Sequence, residues 1–140
     1  FALWAIMGSP LIMGCDLRKA SEETKKTLLN KDLIAINQDL ESRGAYVIKP
    51  LPDSYNENEA FTLVKPLADG DLAIGIFNFS DTQRELSLEF WDMGIPYAAG
   101  VSLALHDCIT GEELGEFTER FAPVVPSHGC VVVRAHLVEK

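Results

Sequence analysis

The sequence predicts a mainly β protein: an antiparallel, Greek-key-type β-sandwich of about seven to eight strands, preceded by a helix–strand–helix segment. Three observations predict it. From Gly44 onward, short runs rich in β-branched and aromatic residues recur, with turn residues between them. Several of these runs alternate apolar and polar residues, the mark of a strand with one buried face. Before Arg43, by contrast, apolar residues recur at helical spacing around a short continuous run, Leu11-Ile12-Met13.

Residues 2–8 carry Leu3, Trp4, Ile6 and Met7, apolar nearly all round, as at the end of a buried helix. Ser9-Pro10 stops that helix. Residues 11–13 read as a buried strand ending in the polar loop of Cys15, Asp16 and Arg18. Ser21 is placed as a helix N-cap, with Glu22 and Glu23 in the first turn, where carboxylates favour the helix dipole. Glu22 and Lys26 are four apart and can pair, while Leu28 and Leu29 would face the core. A further helix starts at Asn30 or Lys31, carries Leu33, Ile34 and Ile36, and ends in Asn37-Gln38-Asp39. Helix, strand, helix is a piece of an alternating α/β chain, and its lone parallel strand needs neighbours from elsewhere.

Strands are then expected over residues 45–49, 60–66, 72–79, 84–90, 101–107, 116–121 and 130–137. Turns fall at Ala68-Asp69-Gly70-Asp71, Ser80-Asp81-Thr82-Gln83 and Thr110-Gly111-Glu112. In "RELSLEF", Leu86, Leu88 and Phe90 share one face, as in a half-buried outer strand. "LAIGIFNF" is apolar on both faces and reads as a central strand. In "CVVVRAH", Val131, Val133 and Ala135 face one way and Val132, Arg134 and His136 the other.

A chain of 140 residues, 47% hydrophobic, suits one domain or a small domain plus a piece of another. It starts with Phe1, which predicts a start inside a longer gene product or after a cleavage. Its net charge of −9 excludes a nucleic-acid or anionic-membrane binder, since both need cationic patches. The apolar N-terminus is shorter than the roughly 20 residues a membrane span needs, and it lacks the basic flank of a signal peptide. Any targeting segment would lie upstream of Phe1. Three cysteines, Cys15, Cys108 and Cys130, without a CxxC pair, give neither a disulfide framework nor a zinc site. Reduced thiols in a cytoplasmic protein are the expectation, and whether Cys108 and Cys130 are bridged stays open.

The segment "FALWAIMGSPLIMGCDLR" followed by "LLNKDLIAINQD" resembles the end of the barrel in the α-galactosidases of glycoside hydrolase family 27. There, a helix with an LWA core leads into a strand of the form Pro-Leu-hydrophobic-Met. Asp-Leu-Arg follows, then a helix and the phrase IAINQD. "GDLAIGIFNFSD", "HDCITGEELGEF" and "VPSHGC" resemble, more loosely, the family's C-terminal β-domain. The resemblance implies that residues 1–43 are the last helix, strand and helices of a (β/α)8 barrel, and residues 44–140 a C-terminal β-sandwich that braces it. One departure is that Asp39 is followed by Leu40-Glu41, where family members commonly have proline. The linker is then less rigid than proline would make it.

The resemblance also implies chemistry. The family removes terminal α-linked galactose from oligosaccharides and glycoconjugates with retention, which needs two carboxyl groups about 5 Å apart. In the family both are aspartates on earlier barrel strands, in motifs without a counterpart between Phe1 and Lys140. No catalytic residue is therefore assigned: the acid pair is expected upstream of Phe1, and the 140-residue chain alone is expected to be inactive. Alternatives are an independent carbohydrate-binding or interaction module using Trp91, Tyr97 and Tyr55, or a parent enzyme specific for α-N-acetylgalactosamine or β-arabinopyranose. No cofactor is implied. The implied partner is a galactoside bound through the rest of the barrel, and a homo-oligomer is left open.

Asp16 and Trp91 are the candidate substrate-binding residues. A carboxylate just past a barrel strand can touch substrate, or it can accept hydrogen bonds from nearby N–H groups and pair with Arg18. Trp91 can stack on a sugar, or seal a sandwich edge. His106, His128 and His136 have no metal-ligand spacing. His128 is expected to bond locally and Asp107 to cap the turn before Gly111. Asn78-Phe79-Ser80 matches the N-glycosylation triplet, which matters only in a eukaryotic secretory protein. Phe1, Leu3, Trp4, Ile6 and Leu11 are expected to be buried by barrel partners. Without those partners they would pack on the sandwich, on another copy, or aggregate.

Overall fold

Three short helices come first: α1 (Ala2–Met7), α2 (Glu22–Leu28) and α3 (Lys31–Asn37). The computed structural model describes residues 1–49 and 59–139, so Tyr55 lies outside the described residues. Within them the strands are β1 (Tyr46–Lys49), β2 (Ala60–Pro66), β3 (Leu72–Asn78), β4 (Arg84–Glu85), β5 (Leu88–Glu89), β6 (Val101–Asp107), β7 (Glu113–Phe117), β8 (Arg120–Phe121), β9 (Val124–Val125) and β10 (Cys130–Glu139). No helix among the described residues is long and apolar enough to cross a membrane.

The helix ends are set by local chemistry. Ser21 Oγ accepts from the Thr24 amide at 3.1 Å and starts α2, while Asn30 Oδ1 accepts from the Leu33 amide at 3.0 Å and starts α3. Gly8, at φ 72°, closes α1 in the left-handed conformation that suits glycine. Glu22 pairs with Lys25 at 2.7 Å rather than with the expected Lys26, since three-apart residues also share a helix face. Leu29 is exposed and Leu28 only half-buried, not in the core, because α2 buries none of its residues and Leu28 faces an open groove.

Six strands form one sheet in the order β1-β2-β3-β10-β6-β7, every neighbouring pair antiparallel. The last strand, β10, inserts between β3 and β6, so the chain leaves the sheet and returns in the Greek-key manner expected. While away it builds two short ladders, β4–β9 and β5–β8. Their Leu88, Phe90, Phe121 and Val125 pack against Val64, Ile74, Ile76, Leu103, Leu105 and Val133 of the large sheet. That is the sandwich core.

The opposite face of the same sheet has a second core. Leu63, Ala73, Phe77 and Val132 meet Ala5 and Ile6 of α1 and Leu33 and Ile36 of α3. Period-two alternation explains both cores: in β10, Val131 and Val133 go one way and Cys130 and Val132 the other. The helices thus make a third layer, and Ile6 packs on the sandwich as one of the expected outcomes had it.

Three expectations need correction. Residues 11–13 form no strand, and Ile12 is 87% exposed, because no strand among the described residues pairs with them and an unpaired strand leaves its polar backbone unsatisfied. Trp4, expected in the core, is 63% exposed, since α1 turns Ala5 and Ile6 to the sheet instead. The continuous strands over 84–90 and 116–121 are each broken. The first ends in a 3-10 turn over Phe90–Met93 closed by Gly94 at φ 85°; the second is interrupted at Glu119, whose φ of 72° no strand can hold. The face assignment of Leu86, Leu88 and Phe90 holds despite the break.

Candidate functional site

The loop before α2 holds the first candidate. Asp16 Oδ1 accepts from the Arg18 amide at 3.1 Å and from Arg18 Nε at 2.9 Å, and Oδ2 accepts from Arg18 Nη2 at 3.0 Å. These bonds hold the carboxyl below its ordinary pKa, the Arg18 side chain contributing most and its backbone amide next. Asp16 is therefore a charged acceptor that closes a short 3-10 turn over Leu17–Lys19. Beside it lies an open groove of about 490 Å³ lined by Trp4, Leu11, Ile12, Met13, Leu28 and Ile34. Its lining is apolar, which suits packing against another structural element.

Trp91 is exposed on the Phe90–Met93 turn, and Tyr97 is exposed on the next one. The Tyr97 hydroxyl lies 3.4 Å from Glu89 Oε2. A small pocket of about 160 Å³ is lined by Phe90, Pro96, Tyr97 and Glu119, not by Trp91. Asp16 and Trp91 lie on different layers: one in the helical segment, the other beyond the sandwich core.

The densest polar constellation ties the helices to the sheet, and sequence reasoning did not single it out. Asn37 Nδ2 donates to the Ser9 carbonyl at 2.8 Å and sits 3.4 Å from that of Ala5, so it satisfies the open end of α1. Asn30 Nδ2 donates to the Cys108 carbonyl at 2.8 Å. Asp39 Oδ1 accepts from the Ala68 amide at 3.0 Å, fixing the end of the IAINQD phrase to the β2–β3 turn. Lys65 is 1% exposed, and its Nζ donates to the Ile36 carbonyl at 2.5 Å. Burial lowers the Lys65 pKa, opposed by the nearby Asp39 carboxylate. A lysine alone in the apolar run "FTLVKPL" was the available signal.

A second network lies at the β2–β3 turn. Arg134 Nε donates to Asp71 Oδ2 at 2.6 Å and its Nη2 reaches Asp69, while His136 Nδ1 lies 2.6 Å from Asp71 Oδ1. Burial alone would raise the Asp71 pKa; the hydrogen bonds from Arg134 and His136 outweigh it and hold the carboxyl below its ordinary value. Asp107 Oδ1 accepts from the Ile109 and Thr110 amides, the turn-capping role expected. His128 bonds to Asp81 at 2.9 Å. Cys108 and Cys130 are free thiols, and burial pushes that of Cys108 up to about 12, so it stays protonated at neutral pH. Asn78 of the glycosylation triplet is 1% exposed: its Nδ2 donates to the carbonyls of Thr82, Val125 and Pro126, and its Oδ1 accepts from Ser80.

Comparison with known proteins places these features. A family model described as Alpha galactosidase A matches residues 1–39, and one described as Alpha galactosidase C-terminal beta sandwich domain matches residues 57–135. A Dictyostelium discoideum protein named "Probable alpha-galactosidase" is 34% identical over 136 residues, covering 95% of this chain and 34% of that protein. Alpha-galactosidase A of Cellvibrio japonicus is 32% identical over 145 residues, covering 96% of this chain and 33% of its own. Among solved structures, alpha-galactosidase I from Mortierella vinacea superposes with a TM-score of 0.83 at 25% identity, over 96% of this chain and 33% of that one. A family 27 β-L-arabinopyranosidase from Geobacillus stearothermophilus gives 0.80 at 25% identity, over 96% and 28%. The chain thus spans about a third of the length of these two curated relatives.

Proposed function

This chain belongs to glycoside hydrolase family 27, the α-galactosidases, and we propose that it serves as the C-terminal part of a retaining enzyme that removes terminal α-linked galactose from oligosaccharides or glycoconjugates. One observation carries the proposal. The Alpha galactosidase A match over residues 1–39 and the C-terminal beta sandwich match over residues 57–135 meet in one shared core, with Ala5, Ile6, Leu33 and Ile36 packed on Leu63, Phe77 and Val132. The sandwich's role is to hold the end of the barrel in place. Residues 1–43 form the barrel end and residues 44–140 the sandwich. The catalytic acid pair belongs to the larger part of the protein, so the 140-residue chain by itself is inactive.

The apolar groove of Trp4, Ile12 and Met13 supports contact with the remaining barrel elements. Three free thiols support a cytoplasmic setting. The test is an assay with a chromogenic α-galactoside on the 140-residue chain and on the longer protein encoded around it. Turnover is expected from the longer protein alone; turnover by the short chain above a mock preparation overturns the division of labour, and none by either overturns the activity.

A second reading rests on the exposed Trp91 and Tyr97: an independent carbohydrate-binding module. Calorimetric titration with galactose-containing oligosaccharides separates the two, and no heat at millimolar sugar removes this one. The likeness to a β-L-arabinopyranosidase keeps sugar specificity open within the first reading, to be settled by a substrate panel on the longer protein.

A further inference from the structure

His106 stands where three elements meet. It lies on β6, opposite Glu113 of β7 and opposite Arg134 of β10, and Asp32 reaches it from the first turn of α3. Its Nδ1 is 2.7 Å from Glu113 Oε1, and its Nε2 is 3.2 Å from Asp32 Oδ2. A neutral imidazole has one N–H to donate; an imidazolium has two. Only the charged ring can therefore donate to both carboxylates at once.

We propose that His106 is a proton-operated clasp between the helical layer and the sandwich: protonated, it bridges Asp32 of α3 to Glu113 of β7, and on losing its proton it lets go of the helix. The helix side is the one released, because the Glu113 contact is the shorter and both its partners belong to one sheet. The remaining N–H stays with Glu113, and Asp32 is left facing a ring lone pair at most.

The charged groups nearest the His106 ring have partners of their own. Arg134, its neighbour on β10, is committed to Asp71 and Asp69. Asp107, next on β6, accepts from Ile109 and Thr110 in its own turn. The other ties of α3 (Asn30 to Cys108, Lys65 to Ile36, Asn37 to Ser9) do not pass through the His106 ring. Hydrogen bonds donated to Glu113 and then to Asp32 hold the His106 pKa above its ordinary value, against a smaller opposing effect of burial. The clasp is therefore closed at mildly acidic pH and opens as pH rises through that elevated value.

The test is amide hydrogen exchange by NMR on the 140-residue chain, with the β3–β10 ladder as internal reference. Protection of the α3 amides, corrected for intrinsic rate, is expected to fall about three- to tenfold between about pH 5.5 and about pH 8.5 while β3 and β10 stay constant. His106→Gln and Asp32→Asn should each abolish that step. Should His106→Gln fail to fold, Asp32→Asn decides. Protection of α3 that tracks the ladder at every pH, or a step that survives Asp32→Asn, overturns the clasp.

Discussion

Lys65 Nζ donates to the carbonyl oxygen of Ile36 at 2.5 Å, joining the end of β2 to the last turn of α3. The contact places a cation at a helix C-terminus, where open carbonyls and the helix dipole both favour it. It also explains why a nearly fully buried lysine is tolerated in a strand.

Replacing Lys65 tests that account. Lys65→Ala removes the bond and leaves a void between layers, and should lower unfolding free energy by about 2–4 kcal/mol in urea titrations. Lys65→Met fills the space and strands only the carbonyl, so the loss should fall to about 1–2 kcal/mol. Equal losses in the two variants would place the whole effect in the polar contact.

Gly75 lies under the side chains of Phe77 and of Ile6 from α1. A Cβ there would lie 2.7 Å from a Phe77 ring carbon and 3.0 Å from Ile6 Cδ1. Gly75→Ala should cost about 1–3 kcal/mol through overpacking. Adding Ile6→Val to it should recover part of that loss in thermal melts, because the two changes share one contact.

Asn78 should resist glycosylation once the chain is folded, since its amide is enclosed by Thr82, Val125 and Pro126 carbonyls. Mass spectrometry after expression through a eukaryotic secretory route should find the folded protein unmodified at this residue. Asn78→Ala should cost about 3 kcal/mol, because several buried partners lose their bond together. An Asn78 glycan on soluble, cooperatively melting protein would contradict the enclosure.

Asp71 sets an acid limit. Its folded pKa lies below the unfolded one, so the unfolded chain takes up the proton first. The stability it adds is complete above the unfolded value of about 4 and is lost as pH falls toward the folded value. Melting temperature should therefore drop on acidification below about pH 4, and less so in Asp71→Asn than in the parent chain. Parallel acid limbs in the two would remove Asp71 from the explanation.

Deleting residues 1–43 should expose Leu63, Phe77 and Val132, which α1 and α3 now cover. The truncated sandwich is expected to bind a hydrophobic dye and to self-associate in ultracentrifugation. A monodisperse, dye-silent product would mean that the helical layer is dispensable to the sheet.

Much of this architecture was legible in the residues. Alternation in "RELSLEF" and "CVVVRAH" announced which side chains share a face, because a strand's pleat enforces it, and Ser21 and Asn30 announced helix starts because their side chains reach the amide two or three residues on. What stayed hidden was long-range. Asn37 bonding to Ser9 and Lys65 to Ile36 depend on which layers meet, and no local pattern encodes that. Backbone exceptions stayed hidden too: nothing in "FTERF" warns that Glu119 adopts a left-handed conformation. The apolar run at residues 11–13 has the composition of a buried strand, yet strand formation depends on a partner.

With sandwich core on one face and helices on the other, β3 has no side turned to water: every residue of Leu72–Asn78 after the first is buried. An edge strand such as β7, mostly exposed, answers to fewer neighbours. In a saturation library screened for soluble expression, positions 73–78 should be the most depleted of variants and positions 113–117 among the most permissive. Drift in such a lineage is channelled to the sheet's rim, while its centre is constrained from two directions at once.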